Sequence, residues 1–189
     1  MKDELVRYLQ QARDVMLWKL DGATEYDVRR PMVPTGTNLL GLVKHVATVE
    51  SGYFFGRPFP EPLPWGEDDA EPNADMWATV DQSREFITDL YRRVWAHSDA
   101  TIAALDLDAT GLVPWWPPER QRVTLHQVLV HMIAETNRHA GHADIIRELI
   151  DGAVGHRPGV SGIYEGADWE SHYQRLEQAA QHASGAADR

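Results

Sequence analysis

Glutamate and histidine at metal-binding spacing occur together in one stretch of the chain, residues 123–152. Apolar residues recur there at three- and four-residue steps, which predicts one long helix that begins at the N-cap Thr124 and ends at Gly152. Glu135 and His139 lie one turn apart inside the apolar arc of this helix. A carboxylate on a buried face is costly unless it is paired or binds a cation. The two side chains are therefore candidate ligands for a single ion.

A third candidate ligand, His45, lies mid-helix on the apolar face of another predicted helix, residues 38–53. If the two helices are neighbours, the three side chains converge. Two imidazoles and one carboxylate form the ligand set of catalytic zinc sites, which keep one position open. Water or a thiol bound at that position loses its proton more easily, so zinc chemistry is the prediction.

Two further histidines are candidate ligands, and an interpretation without a metal is also possible. His131 and His142 lie at the edge of the same arc, where they could support or replace a ligand. Alternatively, the histidines are hydrogen-bonded core residues and Glu135 pairs with Arg138 or Arg147. The sequence leaves this alternative open.

The elements that would position these groups are helices. Periodic apolar residues predict an all-α protein, an up-down-type four-helix bundle forming one domain over residues 1–189. No convincing strand is expected, the connector 23–37 is expected to be extended, and the end of the chain from residue 183 is expected to fray. The predicted helices are 2–20, 38–53, 82–105, 123–152 and a short final helix 169–182, whose contact face is Trp169, Tyr173, Leu176 and Ala180.

Two aromatic connectors are candidate substrate-contact regions. The long Pro-rich loop 54–81 contains Phe54, Phe55 and Trp65, and a loop of this length is usually functional or packed over a site. The connector 106–122 carries further candidates. Anchoring of the loops to the bundle is the alternative role for these aromatic side chains. The proposed contact residues are Trp65, Trp115, Trp116 and Arg120.

Composition limits the class of function. The chain has 189 residues, a net charge of −11 and no cysteine. The negative charge disfavours nucleic acid and anionic membrane surfaces as partners, and no apolar run is long enough for a membrane span. The amphipathic N-terminus does not resemble a signal peptide, so a cytoplasmic location is expected. Without cysteine, any thiol chemistry must use a thiol from a substrate. Lys44 and Glu50 are expected at the surface.

The segments TGTNLLGLVKHVATVE (35–50) and HMIAETNRHAGHADIIRELIDG (131–152) resemble the DinB-like superfamily, specifically its branch of mycothiol-dependent S-transferase-type proteins. The resemblance implies a four-helix bundle with a divalent metal, zinc or nickel, between helices two and four, and often a homodimer. His45 and His139 match two of the three usual histidine ligands. Glu135 stands where many members have histidine, as a glutamate does in the related maleylpyruvate isomerase.

The function implied by the resemblance is metal-activated thiol transfer to a small-molecule electrophile, with mycothiol as the co-substrate. The reacting species on the metal would be a thiolate or a water molecule. A metal-dependent hydrolase that uses metal-bound water is the second hypothesis, and it needs no thiol. A non-catalytic, metal-containing bundle that binds a ligand is the third. Only the first hypothesis predicts an activity that requires both a metal and a thiol.

Overall fold

The computed structural model describes residues 1–53, 57, 59–66, 70–164 and 166–187, with side chains as far as residue 184. The chain is mostly helical, as the sequence predicts. None of the helices within these ranges is both long and apolar enough to cross a lipid bilayer. The helices are α1 (Lys2–Trp18), α2 (Glu25–Arg29), α3 (Leu39–Tyr53), α4 (Arg84–Ala104), α5 (Leu125–Asp151) and α6 (Trp169–Ala187), and the strands are β1 (Thr110–Leu112) and β2 (Arg122–Thr124).

Side-chain caps set the ends of the two helices that carry the candidate ligands. Thr124 begins α5 with a capping box, in which its hydroxyl accepts from the Gln127 N–H and the Gln127 side chain accepts from the Thr124 N–H. Gly152 ends α5 at a φ of 74°, a left-handed conformation that favours glycine. The Asn38 side chain accepts from the Gly41 N–H at 2.8 Å at the start of α3. The predicted bounds of α5 and α3 are confirmed.

Two buried apolar clusters show how the long helices run. The first cluster joins the start of α3 and the start of α4, through Leu40 and Ile87, to the end of α5 at Ile146. The second cluster joins Tyr53 at the end of α3 to Ile102 near the end of α4. The helices α3 and α4 therefore run parallel, unlike neighbours in a strict up-down order. A parallel pair needs a long crossover between its members, and the loop between α3 and α4 provides it.

Several predictions about the connectors were wrong. Residues 23–37 contain α2, which Thr24 caps by accepting from the Asp27 N–H, so that segment is not wholly extended. Residues 106–122 contain β1, which pairs with β2 in antiparallel register, Thr110 opposite Thr124. Strands of three residues are too short to show a period-two pattern, and this is why the sequence did not reveal them.

The C-terminal helix also differs from its prediction. The helix α6 continues to Ala187, so residues 183–187 are helical, while residues 188 and 189 lie outside the described part. Its predicted contact face is exposed, with Trp169, Tyr173 and Leu176 all open to solvent. Phe54 and Phe55, expected in the aromatic loop, likewise lie outside the described residues.

Lys44 and Glu50 are buried, which corrects the expectation of a surface position for both. Glu50 is fully buried and pairs with the equally buried guanidinium of Arg13 on α1. Lys44 Nζ donates to three oxygens of the crossover loop, the carbonyls of Ala74 and Trp77 and the Gln82 side chain, at 2.6–2.9 Å. Burial lowers the pKa of Lys44 to about 8. Polar partners from other elements offset the free-energy cost of burying these two side chains. Helical periodicity cannot reveal such partners.

Gly41 is a close-contact position between α3 and the crossover loop. A Cβ atom on Gly41 would overlap the carbonyl group of Met76. We expect Gly41→Ala to lower the free energy of unfolding by about 1–3 kcal/mol, because the turn at residues 74–76 must move. Urea denaturation measures this. Gly141→Ala on α5 is the matched control, since its Cβ meets nothing within 4 Å, and we expect it to stabilise by about 0.5–1 kcal/mol. Equal effects at both sites would contradict the close contact.

Candidate metal centre

Three side chains from α3 and α5 meet in one small region. Nε2 of His139 lies 2.9 Å from Oε1 of Glu135, and Nε2 of His45 lies 3.8 Å from the same oxygen. All three ligand-type atoms fall within 4.8 Å of one another. The two imidazole rings meet edge to face, with centroids 4.6 Å apart. The structure thus brings together the three residues that the sequence nominates as ligands.

A carboxylate outside the helices orients the His45 ring. Oδ2 of Asp75, in the turn at residues 74–76, lies 2.6 Å from Nδ1 of His45. A carboxylate at this distance accepts a hydrogen bond from the Nδ1–H group. In the neutral ring Nε2 then keeps its lone pair, and Nε2 faces Glu135. The bond to His45 also holds the pKa of Asp75 below its usual range. Asp75 therefore selects the tautomer in which His45 can act as a ligand through Nε2.

Burial and neighbouring charges set the protonation states of the other two side chains. Burial and the nearby His45 ring lower the pKa of His139, which favours the neutral imidazole. Burial opposes ionisation of Glu135, but the hydrogen bond that His139 donates acts in the other direction, and the net result is a lowered pKa of that carboxyl. Neutral imidazoles and an ionised carboxylate are the forms that bind a divalent cation. Within the described residues, the buried Nδ1 of His139 has no hydrogen-bond partner.

The donor set and its spacing fit a zinc-type ion. Adjacent ligand atoms of a tetrahedral zinc site lie about 3.3 Å apart when each bond is about 2.0–2.1 Å long. The two separations at Glu135 Oε1, 2.9 and 3.8 Å, fall on either side of that value. The alternative pairing of Glu135 with Arg147 does not occur, because Arg147 binds Asp151 and the carbonyls of Lys19 and Asp21. Three protein ligands also leave room for one exogenous ligand.

A cavity of about 490 Å³ opens onto this cluster, and we call it the inner cavity. Glu135 and His131 form part of one wall, and Thr48 and Gly52 of α3 form part of another. Trp115 closes one side. The volume is in the range of about 300–1,000 Å³ that small-molecule sites occupy. A substrate in the inner cavity would therefore lie beside the carboxylate of the cluster.

The remaining predicted site histidines take different positions. His131 lines the inner cavity and packs against Tyr53, with ring centroids 4.8 Å apart, rather than joining the three converging atoms. Burial lowers the pKa of His131. His142 is exposed and lies 5.4 Å from the ring of His139.

The predicted substrate-contact residues are divided between the cavity and its supports. Trp115 lines the inner cavity. The indole N–H of Trp116 donates to Tyr53 Oη at 3.1 Å, and the Arg120 guanidinium lies over the Trp116 ring at 5.5 Å. The indole N–H of Trp65 donates to Thr48 Oγ1 at 2.8 Å. Trp116 and Trp65 are thus anchored to α3 by hydrogen bonds, as the alternative interpretation of these aromatic residues predicts.

Sequence reasoning missed Asp75 and the cavity residues of α3. Asp75 lies 30 positions after His45 in an irregular loop, and no spacing rule connects the two. The α3 residues had a usable signal, because Thr48 and Gly52 lie one and two turns after His45 on the same helical face. A polar residue and a glycine at these positions indicate an opening beside His45.

Comparison with known proteins places the chain in a family. No curated protein matches the chain. A family model described as mycothiol-S-transferase matches residues 4–152, which run from the first turn of α1 to the end of α5 and include every candidate ligand. The matched region is well over half of the 189 residues. The chain therefore belongs to the mycothiol S-transferase family, a branch of the DinB-like superfamily.

Proposed function

We propose that the protein transfers a low-molecular-weight thiol, mycothiol, to a small electrophile at a divalent metal held by His45, Glu135 and His139. The convergence of these three side chains from two helices, beside a cavity, is the observation that carries the proposal. Family membership supports the thiol and the transfer chemistry. We also infer that α1, α3, α4 and α5 form the family's four-helix bundle, with α3 and α5 as the two ligand-bearing members.

The residues of this chain have distinct roles in the proposal. Asp75 accepts a hydrogen bond from the Nδ1–H group of His45, and this bond orients Nε2 towards the cluster. Glu135 contributes the negative charge, and His139 binds as a neutral imidazole. His131, also neutral, lies on the cavity wall one turn before Glu135, where it can accept the thiol proton. A divalent metal bound by these residues would lower the pKa of a thiol.

The reaction itself is a substitution at carbon when the electrophile is a halide. The sulfur forms a bond to the electrophilic carbon, the carbon–halide bond breaks, and the halide leaves with the bonding pair. The thiol proton passes to His131 and then to solvent. The chain supplies no competing thiol, because it contains no cysteine.

Removal of the metal tests the proposal. We expect protein treated with a strong chelator to conjugate mycothiol to chlorodinitrobenzene on the order of a hundredfold more slowly, since the metal supplies several kcal/mol of charge stabilisation. Reloading with zinc or nickel, each in turn, should restore the rate and identify the active ion. Chromatography of the thioether product measures the rate against a protein-free control. An unchanged rate after complete stripping would contradict the proposal, and ester cleavage without any thiol would favour a hydrolase.

A further inference from the structure

A second cavity adjoins the inner one and extends away from the metal cluster. This outer cavity has a volume of about 710 Å³. Both cavities are lined by Ser51, Gly52, Leu63 and Trp115, so they adjoin along these residues. The combined groove runs from Glu135 on α5 to Leu112 on β1. A ligand in the outer cavity would therefore lie next to the cavity of the proposed reaction site.

The outer cavity has a mainly apolar lining drawn from three separate segments, with Ser51, Arg57 and Glu61 as its polar members. Phe59 and Leu63 come from the crossover loop, Leu112 and Trp115 come from the β-hairpin region, and Gly52 comes from α3. Leu112 and Trp115 are 54% and 56% exposed. Large apolar side chains that face a concave, solvent-open space are typical of sites for apolar ligands. Burial of these two side chains would favour binding of an apolar molecule.

Gly52 allows Trp115 to lie at the boundary between the two cavities. A Cβ on Gly52 would lie only 3.1 Å from the Cη2 atom of the Trp115 indole. Glycine at this position therefore lets the indole approach the helix closely. The exposed indole provides a flat surface on which an aromatic ring can stack.

Ion pairs and hydrogen bonds fix the loop wall of the outer cavity. Arg93 on α4 donates to both carboxylate oxygens of Glu61 at 2.7 and 2.8 Å. The carbonyl of Arg57 accepts from Nε2 of His97 at 2.8 Å. The Glu61 charge is thus already paired, and the loop residues beside it are held against α4.

The lining of the groove favours an uncharged ligand. In the inner cavity, the described lining contains the Glu135 carboxylate and no lysine or arginine. In the proposed function this carboxylate is a ligand of a divalent cation, so its charge does not decide the charge of the electrophile. A charged body of either sign would lose hydration beside the apolar walls of the outer cavity, whose charged lining residues are Arg57 and Glu61. An uncharged body avoids this cost.

We propose that the outer cavity binds the uncharged, apolar or aromatic body of the electrophile and directs its reactive carbon past Trp115 towards Glu135. The identity of the bound molecule as an electrophile depends on the proposed function, whereas the binding of an apolar body does not. The thiol reaches the reactive carbon from the inner cavity. The outer cavity thus selects neutral electrophiles over carboxylated ones.

Binding of N-phenylnaphthylamine, a neutral fluorescent probe, tests the cavity without catalysis. The full-length, chelator-treated protein is titrated with the probe in the absence of any thiol. We expect Leu112→Asp to weaken binding on the order of tenfold, because the carboxylate must lose hydration beside the probe. Leu176→Asp on α6 is the matched control, since Leu176 is 57% exposed and distant in sequence, and it should bind as the wild type does. Equal binding by all three proteins, or no binding by the wild type, would overturn the proposal.

A second pair of variants keeps the test informative if Leu112→Asp unfolds. Trp115→Ala should weaken probe binding, whereas Trp169→Ala, which removes a 45% exposed tryptophan from α6, should not. In mycothiol conjugation, Leu112→Asp should raise KM for chlorodinitrobenzene about tenfold and change kcat little, since it removes binding without touching the ligands. Chlorodinitrobenzoate should show a higher KM than chlorodinitrobenzene with the wild type.

The outcomes separate the two proposals. Probe binding that depends on Leu112 and Trp115, together with no metal-dependent conjugation, would support the apolar site and contradict the transferase function. Metal-dependent conjugation with no probe binding would overturn the apolar site and leave the transferase function standing. Equal KM values for the neutral and carboxylated substrates would contradict the selection of neutral electrophiles.

Discussion

Replacing His139 with alanine is expected to abolish metal binding and to lower the conjugation rate on the order of a hundredfold or more. His139 approaches the Glu135 oxygen at 2.9 Å and is buried, so neither water nor another described histidine takes its place without rearrangement. Loss of one of three protein ligands leaves too few donors for a stable site. Elemental analysis of protein purified without a metal-affinity column measures the bound metal per chain.

The same histidine-to-alanine substitution at another position of α5 provides the control. His126 is exposed near the start of the same helix, so His126→Ala makes the same chemical change away from the cluster. It should retain the metal and the conjugation rate of the wild type. Full metal content in His139→Ala would contradict the proposed ligand set.

Substitutions at Asp75 should give a graded response in the same assay. Asp75→Ala removes the acceptor that orients His45 and should weaken metal affinity about 10–100-fold. Asp75→Asn keeps an oxygen that can accept from Nδ1, so its affinity should fall between those of the wild type and Asp75→Ala. Competition with a chelator of known affinity measures the order. Asp81→Ala, an exposed residue of the same loop, is the control, and an equal loss there would point to loop disruption instead.

Replacing Glu50 with alanine is expected to lower the free energy of unfolding by about 3–5 kcal/mol, because it leaves the Arg13 guanidinium buried with weaker compensation. Both side chains are 0–1% exposed, and Asp99, the other acidic partner of Arg13, is 45% exposed. Burial raises the pKa of Glu50, which shows the cost of ionising this carboxyl. Urea denaturation followed by circular dichroism measures the loss.

Two comparisons show whether the effect comes from the uncompensated charge. The double variant Arg13→Met, Glu50→Leu removes both charges at similar volume and should be far more stable than Glu50→Ala. Asp89→Ala removes one partner of the exposed pair between Asp89 and Arg92 on α4 and should change stability by no more than about 0.5 kcal/mol. A loss in the double variant as large as in Glu50→Ala would contradict this explanation.

The sequence predicted the ligand-bearing helices because their signals are local. The capping pattern that begins with Thr124, the glycine at 152 and the apolar steps between them all act within a few residues of the chain. The same periodicity placed Glu135, His139 and His45 on buried faces, and a charged or titratable group there already indicates a cation or a partner. The prediction of one domain over residues 1–189 stays a prediction.

Errors occurred where the deciding contact is distant in the chain. Glu50 and Lys44 lie off the apolar stripe of α3, yet both are buried, because Arg13 comes from α1 and the carbonyls of Ala74 and Trp77 come from the crossover loop. The hairpin was missed because each strand has three residues and pairs only through tertiary approach. Helical periodicity describes one face of one element and contains no information about its partners.

By itself, the sequence determined the helical class, the limits of the principal helices and the three residues capable of forming a metal site. These features follow from spacing along the chain, which capping and periodicity report directly. Only the tertiary structure decided that α3 and α4 run parallel, that Asp75 orients His45, and that two cavities adjoin at Trp115. Each of these depends on how distant segments pack, and the packing is set by the complementarity of buried surfaces between elements.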